Sequence, residues 1–200
     1  MNRALTISVT ALALGTALTG CSKSSSGSGL PMSTSTSESS AAAGSGSGSA
    51  PRVPSPLNTA SLLSDACTGL SSSALSQLQL KAGYRRTNNS GPTCAWDSSA
   101  TSSDTVSISP ITTSKGGLST IYDRKDKQEY FEPTTIGGYP AVFADPVDRR
   151  TDGRCSLHVG VTDDLEVLVF TQLSDGKAKT NPCPVAEDVA TAMIDTLKAG

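Results

Sequence analysis

The stretch Arg154-Cys155-Ser156-Leu157-His158-Val159-Gly160-Val161-Thr162-Asp163-Asp164-Leu165-Glu166-Val167-Leu168-Val169-Phe170-Thr171-Gln172 decides the fold. In its first half Cys155, Leu157, Val159 and Val161 alternate with Ser156, His158 and Gly160, a period of two that lines one face of a strand with apolar side chains. Thr162-Asp163-Asp164 supplies turn chemistry, because short polar side chains hydrogen-bond their own backbone. Residues 165–172 then return as a second strand. The stretch reads as an antiparallel hairpin.

Working upstream, Gly137-Gly138 marks a turn into a strand over residues 139–144. Residues 118–128 read as a helix, with Leu118, Ile121 and Tyr122 inward and Lys and Asp outward. Residues 93–97 and 105–109 read as two strands around a Ser-rich turn, preceded by a turn at Asn88-Asn89-Ser90-Gly91-Pro92. Asp65 or Ser71 is placed to cap a short helix through Leu80, with Leu70, Ala74, Leu75 and Leu78 on one face. Downstream, Asn181 is placed to cap a last helix and Pro182 suits its first turn. Val185, Ala186, Val189, Ala190, Met193, Ile194 and Leu197 then recur at helical spacing. The order is helix, two strands, helix, three strands, helix. That predicts an α+β domain, an antiparallel sheet with helices packed on it.

The opening of the chain has a different character. Met1-Asn2-Arg3 carries one positive charge, and residues 4–18 carry none and are rich in Ala and Leu. An apolar run of 15 residues is short of the roughly 20 that span a bilayer, so it reads as the core of a secretory signal peptide. It ends at Leu18-Thr19-Gly20-Cys21, which matches the bacterial lipobox. A small residue before the cut fits the peptidase, and the Cys21 thiol is the nucleophile that a diacylglyceryl thioether requires. Diacylglycerol brings two acyl chains, each methylene adding about 0.8 kcal/mol of membrane affinity, and an N-acyl group adds a third chain. Residues 22–56 hold 14 Ser and 5 Gly among 35 positions, with no apolar periodicity to offset the entropy of ordering them. They read as a flexible tether with a span of roughly 30–35 Å, stiffened at its end by Pro51, Pro54 and Pro56. The expected organisation is thus a signal peptide over 1–20, a lipidated Cys21 with a disordered Ser/Gly/Pro tether over 21–56, and one domain over 57–200. The expected location is the outer face of the cell membrane, held by the lipid on Cys21.

Four further cysteines lie in the domain: Cys67, Cys94, Cys155 and Cys183. Outside the membrane thiols oxidise, and four cysteines allow three pairings. Cys67–Cys94 and Cys155–Cys183 link neighbouring segments and are the expected bonds. No C-x-x-C pair is present, which argues against a thiolate zinc site. With one Trp and three Phe in the whole chain, the core must be built from Val, Leu, Ile and Ala, and covalent support helps it.

The domain carries 13 Lys and Arg against 17 Asp and Glu, a net charge of −4 (13 − 17). No basic stripe exists, so nucleic acid is not an expected partner. His158 is the only His. It is out of phase with Leu157 and Val159 and reads as a solvent-facing strand residue. No G-x-S-x-G elbow is present, and Ser114-Lys115-Gly116-Gly117 fits neither S-x-x-K nor the phosphate-loop motif, so it reads as a loop. Asp145, Asp148, Asp152 and the pair Asp163-Asp164 lack EF-hand spacing and read as solvated turns. Trp96, two residues after Cys94, points to the same side and reads as a core aromatic against a disulfide. Asn88-Asn89-Ser90 matches a glycosylation sequon by chance. No catalytic residue, metal or cofactor is expected.

Asp65-Ala66-Cys67, Cys94-Ala95-Trp96, Gly137-Gly138-Tyr139-Pro140-Ala141, Cys155 and Asn181-Pro182-Cys183 recur in this order across residues 58–198. This arrangement resembles the actinobacterial lipoprotein family of domain of unknown function 3558, which usually shows Asp-Pro-Cys where this chain has Asp65-Ala66-Cys67. The resemblance implies an extracytoplasmic, lipid-anchored domain with no assigned activity. The outline is also similar to the two-disulfide sensor domains of some mycobacterial Ser/Thr kinases, which implies ligand sensing by analogy alone. Two functions are therefore expected. One is a module that binds a ligand or partner at the cell envelope; the alternative is a cell-wall or ester hydrolase.

Overall fold

The computed structural model describes residues 50–200 apart from residue 102, and Asn88 by its backbone alone. Cys21, Gly20, the apolar run and most of the tether lie outside the described residues.

β6 (Arg154–Thr162) and β7 (Leu165–Gln172) form the expected hairpin at the centre of the molecule. Leu157 faces Val169 and Val159 faces Val167 across it. β1 (Tyr84–Asn88), β2 (Gly91–Asp97) and β3 (Thr105–Pro110) form a meander. The chain then crosses to the far edge and returns through β4 (Tyr130–Ile136) and β5 (Tyr139–Asp145) to the hairpin. The result is one seven-stranded antiparallel sheet in the order β1-β2-β3-β7-β6-β5-β4. The expected class, an antiparallel sheet with helices on it, is the observed one.

Two strands escape the sequence reading, and both are edges. β1 carries Arg85 and Arg86, and β4 carries Pro133. One side of each faces water, so neither shows clean alternation, and charge and proline on an edge deter pairing with another chain. Gly137 and Gly138 join β4 to β5 with φ of 56° and 89°, the left-handed pair that a two-residue hairpin turn demands.

One face of the sheet is closed by helices. α5 (Cys183–Ala199) lays Ala186, Val189, Ala190, Met193, Ile194 and Leu197 against it, all buried. α1 (Ala60–Ser64), a 3-10 turn at Ala66–Gly69 and α2 (Ser72–Gln77) complete the layer. Trp96, Ile108, Leu157, Val159, Val167 and Val169 form its floor. Ser71 Oγ accepts from the Ala74 N–H and caps α2, and Asp65 accepts from the Cys67 N–H and caps the 3-10 turn. Both candidate caps are thus used, on different turns. Asn181 is not the cap of the last helix. Pro182 holds that position, with no side-chain bond.

The helix expected over 118–128 is shorter. α3 (Ser119–Tyr122) ends after one turn, and a 3-10 turn at Lys125–Lys127 follows. Beyond Tyr122 that segment is Asp, Arg and Lys, with no apolar side chain to hold a further turn on the sheet. A small helix at Gly176–Thr180, α4, was not foreseen.

Both expected disulfides are present. Cys67–Cys94 ties the 3-10 turn to β2, with Cα atoms 4.9 Å apart, and Cys155–Cys183 ties β6 to the start of α5 at 5.2 Å. Residues 50–56, which composition assigns to the tether, make specific contacts. The Val53 N–H donates to Asp163 at 3.0 Å, Arg52 pairs with Asp163 at 2.8 Å, and Tyr139 Oη donates to the Ser55 carbonyl at 2.9 Å.

Candidate functional site

The second face of the sheet has the unusual chemistry. On β6 the residues out of phase with the core are Ser156, His158 and Gly160, and on β7 they are Glu166, Leu168 and Phe170. Glu166 sits opposite Gly160, which has no side chain to block it, and meets His158 on the diagonal. His158 Nδ1 and Glu166 Oε2 are 3.1 Å apart, with side-chain exposures of 13% and 3%. The phase of His158 is as its sequence position indicates, but the solvent-facing reading is wrong. Val142 on β5 and Leu168 on β7 flank it in register. α3 covers the neighbouring part of this face, where Leu118, Val142 and Ala144 are buried with Ile121, Tyr122 and Phe131 against them. A carboxyl group so far from water requires a partner, and among the described residues His158 is the one it has.

The hydroxyls nearby are engaged elsewhere. Ser156 Oγ donates to Asp145 Oδ2 at 2.7 Å, and the Ser156 N–H donates to Tyr130 Oη at 3.2 Å. Burial is the first cause that pushes the Tyr130 phenol up. Thr93 and Ser109 bond each other at 2.8 Å across β2 and β3. Among the described residues no Ser, Thr or Lys side chain bonds His158.

Away from α3 the second face is mixed: Thr93, Ala95 and Ser109 are buried, while Tyr84, Ser107 and Phe170 are half-buried or exposed. One cross-strand row runs Tyr84, Ala95, Ser107, Phe170 and Ser156, and the next runs Asp97, Thr105, Gln172 and Arg154. Tyr84 is 43% exposed, and its hydroxyl donates to Asp97 Oδ1 at 3.1 Å. Partial burial first, and the Asp97 carboxylate second, raise that phenol above its ordinary value. The row of Arg154 and Gln172 leads into a cleft of about 350 Å³ between the 3-10 turn at Arg150–Asp152 and α4. Arg149, Arg154 and Lys179 line it, with Asp152 and Ser174.

The aspartates singled out in the sequence lie apart in role. Asp148 pairs with Arg150 at 2.6 Å, and that hydrogen-bonded guanidinium holds its carboxyl below the usual range. Arg150 also reaches Glu132 at 2.8 Å and lies 4.2 Å over the Tyr130 ring. Asp163 receives Val53 and Arg52, in that order of effect, and is likewise lowered. Among the described residues no three His, Cys, Asp or Glu side chains converge as a metal site. Ser114 in its loop bonds Thr120 at 2.6 Å. Trp96 is core, 1% exposed, and Gly83 backs onto both its indole and the Cys94 sulfur, leaving no room for a side chain. Sequence reasoning missed Glu166 and the Arg149–Arg154–Lys179 cleft. An acidic residue at the start of a β-rich apolar run was the only available signal for the first, and the second is assembled across more than twenty positions of chain.

A profile of proteins of unknown function, DUF3558, matches residues 16–196. The chain belongs to the DUF3558 family. The residues that carried the resemblance are structural in this DUF3558 chain: Asp65 caps, four cysteines pair, Trp96 fills the core and Gly137-Gly138 turns. No curated protein and no solved structure matches the chain.

Proposed function

We propose that this DUF3558 protein is a lipid-anchored binding module on the outer face of the cell membrane. The carrying observation is the sorting of its five cysteines. Four pair within one domain, a chemistry of oxidising compartments, and the fifth, Cys21, follows an apolar run and a Gly. A binding role is supported by the second face, where Tyr84, Asp97, Thr105 and Gln172 reach solvent beside a cleft. Its one His is committed to Glu166 rather than to a hydroxyl, which favours binding over the hydrolase alternative, since a nucleophile needs a base beside it.

Cys21→Ala tests the anchor. Labelled palmitate should no longer enter the protein, and the chain should leave the membrane fraction for the medium or accumulate uncleaved. Retention of a cleaved, membrane-bound chain would sink the anchor.

A further inference from the structure

We propose that the cleft of Arg149, Arg154 and Lys179 binds a phosphate group carried by a cell-envelope glycan. This deepens the binding-module reading and rests on it. In a domain of net charge −4 (13 − 17), three cations gathered in one place stand against the overall charge; Arg52, Arg85 and Arg150 each pair with a carboxylate. Arg149, Arg154 and Lys179 make no ion pair among the described residues, yet all three line one cleft of about 350 Å³. Asp152 lines it too, so the cleft keeps two net positive charges (3 − 1).

Three cationic side chains lining one cleft suit an acceptor with several oxygen faces. A carboxylate offers two oxygens in one plane, which a single guanidinium satisfies. A phosphate presents its oxygens in a tetrahedron and suits two guanidiniums and an ammonium together. Gln172, Leu173 and Ser174 complete the lining, and the cross-strand row with Phe170 and Ser107, both half-buried, begins beside it. Amide, hydroxyl and an aromatic face beside a phosphate clamp fit a saccharide attached to that phosphate.

Position selects the glycan over a lipid headgroup. Arg52 and Val53 are tied to Asp163 at the turn of the hairpin, and Arg154 stands at the opposite end of β6, a strand of nine residues. At about 3.3 Å per residue the two ends are about 30 Å apart. The cleft therefore opens at the pole away from the point where the chain from Cys21 enters the domain.

The test uses residues 22–200, which contain every described residue. The chain is titrated with a hexose 1-phosphate, with the free hexose and with phosphatidylglycerol vesicles, and amide NMR signals are followed. The sugar phosphate should shift Arg154, Gln172 and Lys179 saturably, and free hexose should bind at least tenfold more weakly. Arg149→Gln with Arg154→Gln should weaken sugar-phosphate binding at least tenfold. Lys179→Gln, at an exposed position that does not threaten the fold, should weaken it about threefold. Equal binding of free hexose, or undiminished binding by the variants, overturns the phosphate site but leaves the binding module standing. Absence of any sugar-phosphate binding overturns the site as well. Vesicles that displace the sugar phosphate assign the cleft to headgroups and overturn the glycan. Release of free hexose during the titration would make the protein a hydrolase and overturn both readings.

Discussion

The two faces of the sheet divide the work of the molecule. The first face is apolar, sealed by α5 and stapled by both disulfides; Leu157, Val159, Val167, Val169 and Ile108 are each 0% exposed. The second face carries hydroxyls, a buried His–Glu pair and the strand aromatics Tyr84, Phe131 and Phe170, and α3 with the segment at Ala50 covers its β4–β5 part. The same strands build both, because side chains alternate along them. Most of the apolar burial therefore resides on one face, and substitution at the exposed positions of the other leaves it intact.

The sharpest way to break this division is to compare one aromatic from each face. Trp96→Ala empties a site 1% exposed and should cost about 3–5 kcal/mol in urea unfolding. Phe170→Ala, at a half-buried position, should cost less, about 1–2 kcal/mol, since its ring is only partly removed from water. Equal losses would mean that the second face is a core in its own right.

The Cys155–Cys183 bond comes next. It joins β6 to α5 across 28 residues of chain, and the chain-entropy model gives about 3.5 kcal/mol for a loop of that size. Cys155→Ala with Cys183→Ala should lower the unfolding free energy by about that amount at unchanged spectroscopic fold. A much smaller loss would show that α5 is held by packing alone.

On the second face the largest single effect should come from His158→Ala. It strips a partner from a carboxylate that is 3% exposed, and an unsatisfied buried acceptor costs about 1–3 kcal/mol. Glu166→Leu together with His158→Ala should recover part of that loss, because the isolated charge is gone. If the double variant is worse than the single, the pair does more than satisfy itself.

Local pattern made the first face readable and left the second mostly hidden. Leu157 and Val159, or Val189 and Met193, declare their side by spacing, and Cys155 finds Cys183 because the segments between them are short. Glu166 shows no such signal. It is buried because Gly160 opposite leaves a gap and because His158 reaches across, facts of register rather than of its own neighbours. β1 and β4 fail for a related reason: Arg85 and Pro133 occupy edges, where half of each strand has no partner to impose a pattern. The cationic cleft draws on Arg149, Arg154 and Lys179, which only the closure of β6 on β7 and the placing of α4 bring together.

The smallest effect concerns where the tether gives way to the domain. Asp163 accepts from the Val53 N–H and pairs with Arg52, and both hold its pKa below the usual carboxylate value. A carboxyl lowered in the folded state contributes stability that is fully present above its unfolded pKa, near 3.9. That contribution is lost as pH falls through the lowered folded value. Residues 50–53 should therefore stay docked at neutral pH and loosen in acid, below about pH 4, before the sheet itself responds. Salt should weaken the Arg52 contribution, since both partners are solvent-exposed, but spare the hydrogen bond from Val53. Amide hydrogen exchange at Val53 reads this directly: protection should fall in acid, and fall at every pH in Asp163→Asn, whose amide oxygen is a weaker acceptor. The Leu57 N–H, bonded to the Val161 carbonyl at 3.0 Å, should keep its protection in both cases. Loss of protection at Leu57 together with Val53 would mean that this segment belongs to the first face and unfolds with it. Loss at Val53 alone places the start of the firmly packed domain between Val53 and Leu57, and makes that boundary depend on acidity.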